Sequence, residues 1–440
     1  MATPIALKSL WSETAPPGPV CGVLEGAQRT QAVVIGAGYT GLSAALHLAE
    51  SGREVMVLEA MDIGERASGL NGGQVIPGVK VDPDNIEMLL GPYAGGRLVT
   101  TAAAGPDMVF DLIARHGIEC DAIRTGWIQP ATSDGALAQL ARRAEQWWRR
   151  GVPIEVLSRR EVLQVTGSAR YCGGLLDRRG GNLQPLAYVR GLAHAVLRTG
   201  ARIFTRSPAL RLARLSGAWS IETSQGSVSA PLVIIATNAY TDAISEELRR
   251  TIVTVPSFQV ATTPIPAALR STILPDRQAA SDTWHLLRYF RLDAGGRLVL
   301  GARGTFSQSP QLRDVQYQYR AVEEIYPQLR GIAFEYHWGG LVAMTRDSLP
   351  HLHELAPGLL AGLGYNGRGV AMATVMGRLL ARRALGTPVA ELGFPVTPVL
   401  PLPLHRLSGA AARASIQYLR VVDGLSRLRA RVRSRALFRT

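Results

Sequence analysis

The stretch Ala32-Val33-Val34-Ile35-Gly36-Ala37-Gly38-Tyr39-Thr40-Gly41 decides the fold of this chain. Its first four residues form a short apolar run, and apolar residues then recur at helical spacing from Leu42 to Ala49 before Gly52 ends the helix. A second apolar run, residues 55–58, ends at Glu59. A strand, a glycine turn, a helix and a second strand thus occupy about 30 residues, the length of a βαβ unit.

The spacing Gly36-x-Gly38-x-x-Gly41 is typical of a turn that binds the pyrophosphate of a dinucleotide. The first glycine permits a tight turn, the second lets backbone approach the phosphates, and the third permits close packing. The N–H groups at the helix start, near Tyr39 and Thr40, are unpaired and attract an anion. The Glu59 carboxylate can accept both ribose hydroxyls of an adenosine. NAD and FAD share this turn, so it does not decide between them.

Two later glycine-rich segments could complete the site of a long cofactor. Residues 67–74 read Ala-Ser-Gly-Leu-Asn-Gly-Gly-Gln, which offers backbone donors and the side chains of Ser68 and Asn71 to a ribityl diphosphate. A flexible surface loop is the other interpretation of this segment. Residues 362–373 form a second glycine loop, which opens a helix predicted over 369–385.

The rest of the chain predicts a mixed α/β protein. Residues 1–29 contain Pro16, Pro17 and Pro19 and predict an irregular lead-in. Helical patterns cover 84–117, 136–149 and 315–329. Short strands over 201–236 predict an antiparallel meander that leads into a buried strand, and a second block rich in strands covers 251–303.

The charge and composition of the chain exclude several classes of protein. The 440 residues carry a formal charge of +14, of which residues 405–440 supply +8 from nine arginines and a single acid, Asp423. The body is therefore only mildly basic, and nucleic-acid binding is not expected. Three widely spaced cysteines predict neither a disulfide framework nor a zinc site. Without a signal-like start or a transmembrane segment, the sequence predicts a soluble cytoplasmic protein.

Taken together, the motifs resemble the D-amino-acid-oxidase-like family of FAD-dependent amine oxidoreductases, and within it the gamma-glutamylputrescine oxidoreductase group. The likeness spans residues 30 to about 405 and follows one order along the chain. Its motifs are the turn 36–41 with Glu59, AlaSerGlyLeuAsnGlyGlyGln at 67–74, IleIleAlaThrAsnAlaTyr at 234–240, TyrPheArg at 289–291, GlyAlaArgGly at 301–304, TrpGlyGly at 338–340, ThrArgAspSerLeuPro at 345–350 and the loop 364–373.

This resemblance implies a Rossmann-like FAD-binding domain with an interleaved substrate domain built on an antiparallel sheet. The FAD-binding domain would comprise residues 30–100, 170–250 and 339–395, the substrate domain 101–169 and 251–338, and residues 396–440 an extended crossing followed by a basic helix. The implied cofactor residues are Gly36, Gly38, Tyr39, Thr40, Gly41, Glu59, Ser68, Asn71, Gly72, Gly73, Gln74, Thr237, Gly364, Tyr365, Asn366, Gly367, Gly369, Val370 and Ala371.

The resemblance also bears on how FAD is held and what is oxidised. Some relatives tether flavin through a histidine near the first loop or a cysteine before the second. Residues 60–80 contain no histidine and 336–364 no cysteine, so non-covalent FAD is expected. Relatives that oxidise sarcosine carry a lysine where this chain has Ala371, which disfavours sarcosine. Tyr289, Arg303, Arg291 and His337 are the candidate substrate residues, with an arginine binding a carboxylate in bidentate fashion.

The expected reaction is oxidation of an amine or amino-acid C–N bond: a hydride passes to flavin N5 and water hydrolyses the imine. The partners would be a small amine and either oxygen or another electron acceptor. Two alternatives stay open, a different flavin- or nicotinamide-linked oxidoreductase and a non-enzymatic protein that binds through its basic tail. In that tail, residues 418–432 predict an apolar helical stripe packed on the body with the arginines in solvent.

Overall fold

The computed structural model describes residues 9–303 and 312–437, and within these ranges the side chains of 243, 312–315 and 425–437 are not described. The α-helices are α1 (Leu10–Thr14), α2 (Tyr39–Glu50), α3 (Ala67–Leu70), α4 (Pro83–Leu90), α5 (Pro92–Ala103), α6 (Gly105–His116), α7 (Asp134–Trp148), α8 (Arg159–Thr166), α9 (Pro185–Arg198), α10 (Glu246–Arg249), α11 (Ala267–Arg270), α12 (Leu312–Ile325), α13 (Gly369–Ala384), α14 (Val389–Leu392) and α15 (Ser408–Leu437).

The β-strands are β1 (Gly26–Arg29), β2 (Ala32–Ile35), β3 (Val55–Leu58), β4 (Gln74–Val75), β5 (Trp127–Ala131), β6 (Glu155–Ser158), β7 (Gly173–Asp177), β8 (Gly181–Asn182), β9 (Arg202–Phe204), β10 (Arg211–Leu215), β11 (Ala218–Glu222), β12 (Gly226–Ala230), β13 (Leu232–Ile235), β14 (Ile252–Pro264), β15 (Ala279–Ser281), β16 (Tyr289–Leu292), β17 (Arg297–Arg303), β18 (Phe334–Thr345), β19 (His351–Ala356) and β20 (Leu359–Leu363).

A six-stranded sheet with the order β19-β20-β13-β2-β3-β9 carries the predicted βαβ unit. Its strands are parallel except β19, and they come from widely separated parts of the chain. Alternate residues of β2 and β3 face opposite sides. Ala32, Val34, Val55 and Val57 pack with the helices, whereas Val33, Ile35, Met56 and Leu58 pack toward the four-stranded sheet β1-β12-β11-β10. Both faces are covered, which explains why these strands are apolar throughout.

An eight-stranded sheet, β18-β14-β17-β16-β15-β5-β7-β6, forms the second large layer, and β4 pairs with β8 in a two-stranded sheet. In the eight-stranded sheet all neighbouring strands are antiparallel except β15 and β5, and α12 packs on one face of this sheet. Strands β7 and β18 belong to this sheet although their residues fall within or across the predicted FAD-binding segments 170–250 and 339–395. The domain boundaries themselves remain a prediction.

Local sequence explains where many helices begin. Prolines stand in the first turn of α4, α5, α6 and α9, where their missing N–H is not needed. Ser158 and Glu161 form a reciprocal capping box at α8. Gly117 ends α6 with φ 61°, a left-handed conformation that favours glycine.

The lead-in is more ordered than the sequence predicted. Residues 10–14 form α1, in which Leu10 and Trp11 are buried, and residues 26–29 form β1 beside β12. The expectation of an irregular chain up to residue 29 is therefore wrong at these two places. The prolines at 16, 17 and 19 fall in the connection between them.

Candidate active site

A cavity of about 810 Å³ lies between the carboxyl ends of β2, β3 and β13 and the strands β14, β16, β17 and β18. The six-stranded sheet contributes the glycine turn and Glu59, and the eight-stranded sheet contributes Ser257, Tyr289 and Arg303. Ligands of open α/β sheets bind outside the carboxyl ends of the strands, so this cavity is the candidate cofactor and substrate site.

The three glycines of the first turn are each required by a different contact. Gly36 has φ 105°, and a Cβ there would lie 3.1 Å from the Ala236 carbonyl oxygen. A Cβ on Gly38 would lie 2.8 Å from Ser68 Oγ, and a Cβ on Gly41 would overlap the Gly36 carbonyl oxygen. Gly38 caps α2 without a side-chain hydrogen bond, and Ser68 Oγ accepts from the Tyr39 N–H, so the backbone at Gly38 and Thr40 is the part of the helix start that faces the cavity.

Glu59 follows β3 directly and is half-buried at the cavity wall. Its Oε2 accepts a hydrogen bond from the Ala37 N–H at 2.7 Å, and its Oε1 accepts one from the Met61 N–H at 3.1 Å. Burial raises the pKa of Glu59, and these backbone hydrogen bonds oppose that rise. Each carboxylate oxygen can accept more than one hydrogen bond, so Glu59 can still accept from a ribose hydroxyl.

The side chains of loop 67–74 hold the loop in shape. Ser68 Oγ accepts from the Tyr39 N–H at 3.1 Å, and Asn71 accepts from the Gly73 N–H at 2.7 Å while donating to the Ser68 carbonyl at 2.8 Å. Gln74 is buried and donates to the Ala280 carbonyl at 2.8 Å. Ser68, Asn71, Gly72 and Gln74 line the cavity, whereas Gly73 does not.

Two tryptophans hold this loop by donating hydrogen bonds to its backbone, a role that the sequence motifs did not predict. Trp11 Nε1 donates to the Asn71 carbonyl at 2.9 Å, and Trp338 Nε1 donates to the Leu70 carbonyl at 3.1 Å. Their rings meet edge to face at 5.4 Å between centroids. A signal was present, because Ser9 before Leu10 and Trp11 is a helix N-cap followed by apolar residues.

The second glycine loop is held by amide side chains. Asn366 has φ 52°, accepts from the Thr345 N–H at 3.0 Å and donates to the Gly364 carbonyl at 2.6 Å. Gly364 donates its N–H to Asn238 Oδ1 at 2.9 Å, which joins the loop to the end of β13. Helix α13 begins at Gly369 with no side-chain cap, so it is a second helix start with free N–H groups.

Most of the other predicted cofactor residues also reach the cavity. Its lining includes Gly36, Gly38, Tyr39, Thr40, Thr237, Tyr365, Asn366, Gly367, Gly369 and Val370. Gly41 and Gly364 act through backbone packing and do not line it. Ala371 does not line it either: its methyl group lies at the start of α6, where a Cβ on Gly105 would be 3.2 Å away. Any contact from Ala371 to the cofactor is therefore limited to its backbone.

Tyr289 and Arg303 lie together on the eight-stranded sheet and line the cavity. The Tyr289 ring fills the space beside Gly72 and Gly301, where a Cβ on either glycine would collide with it. Its hydroxyl lies 2.8 Å from Ser257 Oγ. Burial raises the pKa of Tyr289 to about 12, so this hydroxyl is neutral near pH 7 and serves as a hydrogen-bonding group.

The structure does not place Arg291 in contact with a substrate. Its side chain is 2% exposed, does not line the cavity and lies over the Trp11 ring. It donates to the carbonyl oxygens of Gly72 and Leu183, both at 2.7 Å. Because its donors are used on backbone, Arg291 holds the loop, and the prediction that it binds substrate is wrong.

His337 is not among the described residues that line the cavity, so its contact with a substrate stays a prediction. It lies on β18 opposite Val260, and its Nδ1 is 3.4 Å from the Tyr319 hydroxyl. Burial lowers its pKa. Strand pairing therefore carries His337 toward α12, although the neighbouring residues 340–344 of the same strand line the cavity.

Lys80 completes the polar wall. It lines the cavity with Arg303 and Arg368, and burial together with the positive charges of these two arginines lowers its pKa. Within the described part of the chain, neither Lys80 nor Arg303 forms an ion pair with a carboxylate. The cavity thus combines the starts of α2 and α13, the Glu59 carboxylate and two cations that form no ion pair among the described residues. An anionic dinucleotide fits the first two features, because Gly38 and Ser68 leave room only for backbone approach.

Residues 31–383 match the protein family described as FAD dependent oxidoreductase, DAO. The chain belongs to this family. It is 33% identical to the probable oxidoreductase OrdL of Haemophilus influenzae, over 80% of this chain and 82% of the relative. It is 34% identical to the gamma-glutamylputrescine oxidoreductase of Escherichia coli, over 84% of this chain and 87% of the relative. The DAO-family chain is accordingly an FAD-dependent oxidoreductase of amines or amino acids.

Solved structures agree on the fold of this DAO-family oxidoreductase. The glycine oxidase of Geobacillus kaustophilus superposes with a TM-score of 0.71 at 19% identity, covering 84% of this chain and all of that one. The L-proline dehydrogenase of P. horikoshii gives 0.69 at 19% identity, covering 85% and 96%. The family match excludes the nicotinamide-linked and non-enzymatic alternatives. No helix among residues 9–303 and 312–437 is long and apolar enough to cross a membrane.

Two histidines on β19, His351 and His353, are spaced as metal ligands can be, but both form hydrogen bonds within the protein. His351 Nε2 lies 3.1 Å from Asp347, and His353 Nδ1 lies 2.7 Å from the Thr397 carbonyl oxygen. Among the described residues, no group of three or more histidine, cysteine or acidic side chains could hold a metal ion.

FAD is expected to bind this DAO-family oxidoreductase without a covalent bond. No histidine or cysteine is found among the described residues that line the cavity, so no side chain of the usual kind can tether a flavin there. Precipitation of the purified holoenzyme with trichloroacetic acid should leave a yellow supernatant and a colourless pellet. A yellow pellet after washing would show that a bond to flavin exists.

Proposed function

We propose that this oxidoreductase acts on an amine that also carries a carboxylate remote from the oxidised C–N bond, with gamma-glutamylputrescine as the preferred kind of substrate. The observation that carries the proposal is that Lys80 and Arg303 both line the cavity and that, among the described residues, neither forms an ion pair with a carboxylate. Arg303 is half-buried and Lys80 is exposed at the cavity edge, so a ligand carboxylate that reached both would form charge-assisted hydrogen bonds there. The 34% identity to the gamma-glutamylputrescine oxidoreductase of Escherichia coli supports the same substrate.

The side chains around the cavity would orient such a substrate. Arg303 can bind a carboxylate through two parallel N–H donors, and Lys80 can add a third. The neutral Tyr289 hydroxyl, which is held by Ser257, can form a hydrogen bond with a polar group of the substrate. FAD, when bound, supplies the acceptor for the hydride that leaves the carbon of the C–N bond.

The cations of the cavity also act on the amine. Arg368, which is not assigned to the carboxylate, also lines the cavity, and its positive charge would disfavour a further positive charge nearby and so lower the pKa of a bound ammonium. The amine is then held in its neutral form, from which hydride loss is favourable, and no strong base is needed. The start of α13 offers N–H groups and the positive end of its dipole to negative charge that develops beside it.

Anaerobic visible spectra of the holoenzyme test this substrate class. We expect gamma-glutamylputrescine to bleach the flavin absorbance with a second-order rate constant for flavin reduction at least tenfold above that for putrescine, because putrescine lacks the carboxylate; tenfold corresponds to about 1.4 kcal/mol. Glycine, sarcosine and D-amino acids serve as comparison substrates.

Bleaching by putrescine or glycine at an equal or higher rate would contradict the proposed substrate. Readmitting air to the bleached enzyme distinguishes the acceptors, since colour returns within seconds to minutes only if oxygen reoxidises the flavin.

A further inference from the structure

The C-terminal helix α15 is attached to the body by one face. Ile416 is buried with Val255 and Leu286, and Leu419 packs against the same cluster. Asp423 is buried and accepts hydrogen bonds from the Leu286 N–H at 3.0 Å and from the His285 ring, whose Nδ1 is 2.8 Å away. These residues follow one another at spacings of three and four, so they mark one side of the helix.

The opposite side of α15 is apolar and exposed. Tyr418 is 69% exposed and Val421 is 61% exposed. At about 100° per residue they lie roughly 140° to 200° around the helix from Ile416. In the sequence, Leu425, Leu428 and Val432 continue the same spacing. The expectation that this stripe packs on the body is therefore wrong at Tyr418 and Val421, because Ile416, Leu419 and Asp423 occupy the body-facing side.

The charged residues of this segment are almost all positive. Residues 405–440 contain nine arginines, and the single acid, Asp423, is directed into the body. On a helical projection, Arg413, Arg420 and Arg427 flank one edge of the apolar stripe, and Arg429 and Arg433 flank the other. An apolar stripe between two rows of cations is the pattern of a helix that lies in the interface of an anionic membrane.

We propose that the outer face of α15 binds the surface of a membrane that contains anionic lipid. Tyr418 and Val421 enter the region between headgroups and acyl chains, and Arg413 and Arg420 contact lipid phosphates. Arginines near such a surface are attracted to its negative charge, so the segment can hold the enzyme there without a spanning helix.

Two other occupants of this face fit less well. A second copy of the helix would bring arginine rows against arginine rows with no acid to pair them, since Asp423 is already used. Nucleic acid would satisfy the arginines but would leave the apolar stripe of Tyr418 and Val421 without a partner.

Co-sedimentation of the full-length holoenzyme with vesicles tests the proposal. We expect binding to vesicles of phosphatidylcholine with 30% phosphatidylglycerol and at least tenfold weaker binding to pure phosphatidylcholine, with loss at high salt. Tyr418→Ser/Val421→Ser leaves the net charge unchanged and should weaken binding to the anionic vesicles at least tenfold. The matched control is Val20→Ser/Leu215→Ser, which alters two exposed apolar residues far along the sequence from α15 and should leave binding unchanged.

Flavin content and amine oxidation should be unaffected by both double variants, so failure of this proposal is distinguishable from failure of the proposed substrate. Equal sedimentation with both kinds of vesicle, or full binding by Tyr418→Ser/Val421→Ser, would overturn the proposal. So would a concentration-dependent dimer that this variant abolishes, which would assign the face to a second copy. Release from anionic vesicles by a short DNA duplex, with tight binding of the duplex itself, would assign the arginines to nucleic acid and would also overturn it.

Discussion

Gly41→Ala is expected to purify with less than a tenth of the flavin that the unmodified protein carries. A Cβ at this position would overlap the Gly36 carbonyl oxygen and approach Val34 Cγ1 to 3.2 Å. To remove this overlap, the turn and α2 must move apart, and such overpacking lowers the free energy of unfolding by about 1–3 kcal/mol. The same movement displaces the N–H groups at the start of α2, which are proposed to bind the pyrophosphate. The ratio of flavin to protein absorbance and the Kd for added FAD measure the effect.

Gly135→Ala is the matched control for this substitution. Gly135 is exposed in the first turn of α7, and a Cβ there would meet nothing within 4 Å. Alanine in a helix is favoured over glycine by about 1 kcal/mol, so this variant should retain its flavin and unfold at an equal or higher temperature. If Gly41→Ala kept normal flavin content and FAD affinity, the assignment of the cofactor to this turn would be incorrect.

Arg303→Met is expected to raise the KM for gamma-glutamylputrescine at least 100-fold and to change kcat much less. The substitution removes the cation that is proposed to bind the substrate carboxylate in bidentate fashion, and breaking a buried charge pair costs about 2–5 kcal/mol. Turnover of putrescine should stay the same or improve, because putrescine has no carboxylate and is repelled by the arginine. A purely structural role for Arg303 would impair both substrates alike.

The control for Arg303→Met is Arg211→Met, which removes one exposed positive charge on β10 and should leave both KM values unchanged. A KM for gamma-glutamylputrescine within threefold of the normal value in Arg303→Met would refute the carboxylate role.

The pH profile gives the Arg303→Met experiment a second readout. The charge of Arg303 helps to lower the pKa of Lys80, and Lys80 binds a carboxylate only while protonated. Carboxylate binding by Lys80 is therefore present at low pH and is lost as the pH rises through that lowered pKa. In Arg303→Met this alkaline loss should move to higher pH, since one neighbouring positive charge is gone.

The residues of the βαβ unit and its glycine turn could be predicted because local rules decide them. Apolar strands buried on both faces, helical spacing after the glycines and a carboxylate at the end of β3 are all properties of short segments. The helix predicted over 369–385 is observed over 369–384 for the same reason. The motif order along the chain was sufficient to predict the family, which residues 31–383 confirm.

The wall of the cavity formed by the eight-stranded sheet was harder to predict, because register decides which side chains face the cofactor. Tyr289 lines the cavity, whereas Arg291, two residues further along the same strand, is buried against the backbone of loop 67–74. No local pattern separates a substrate-binding arginine from one that holds a loop. The distinction depends on strands that are far apart in sequence.

By itself, the sequence determined the dinucleotide turn, because neighbouring residues decide it, and the family, because the order of short motifs along the chain decides it. The FAD-dependent chemistry follows from the family. Only the tertiary structure decided that Trp11 supports loop 67–74, that Lys80 lies with Arg303 on the cavity wall and that Tyr418 faces outward. Each of these positions depends on packing between segments tens to hundreds of residues apart, where the free energy of burial and hydrogen bonding outweighs local preference.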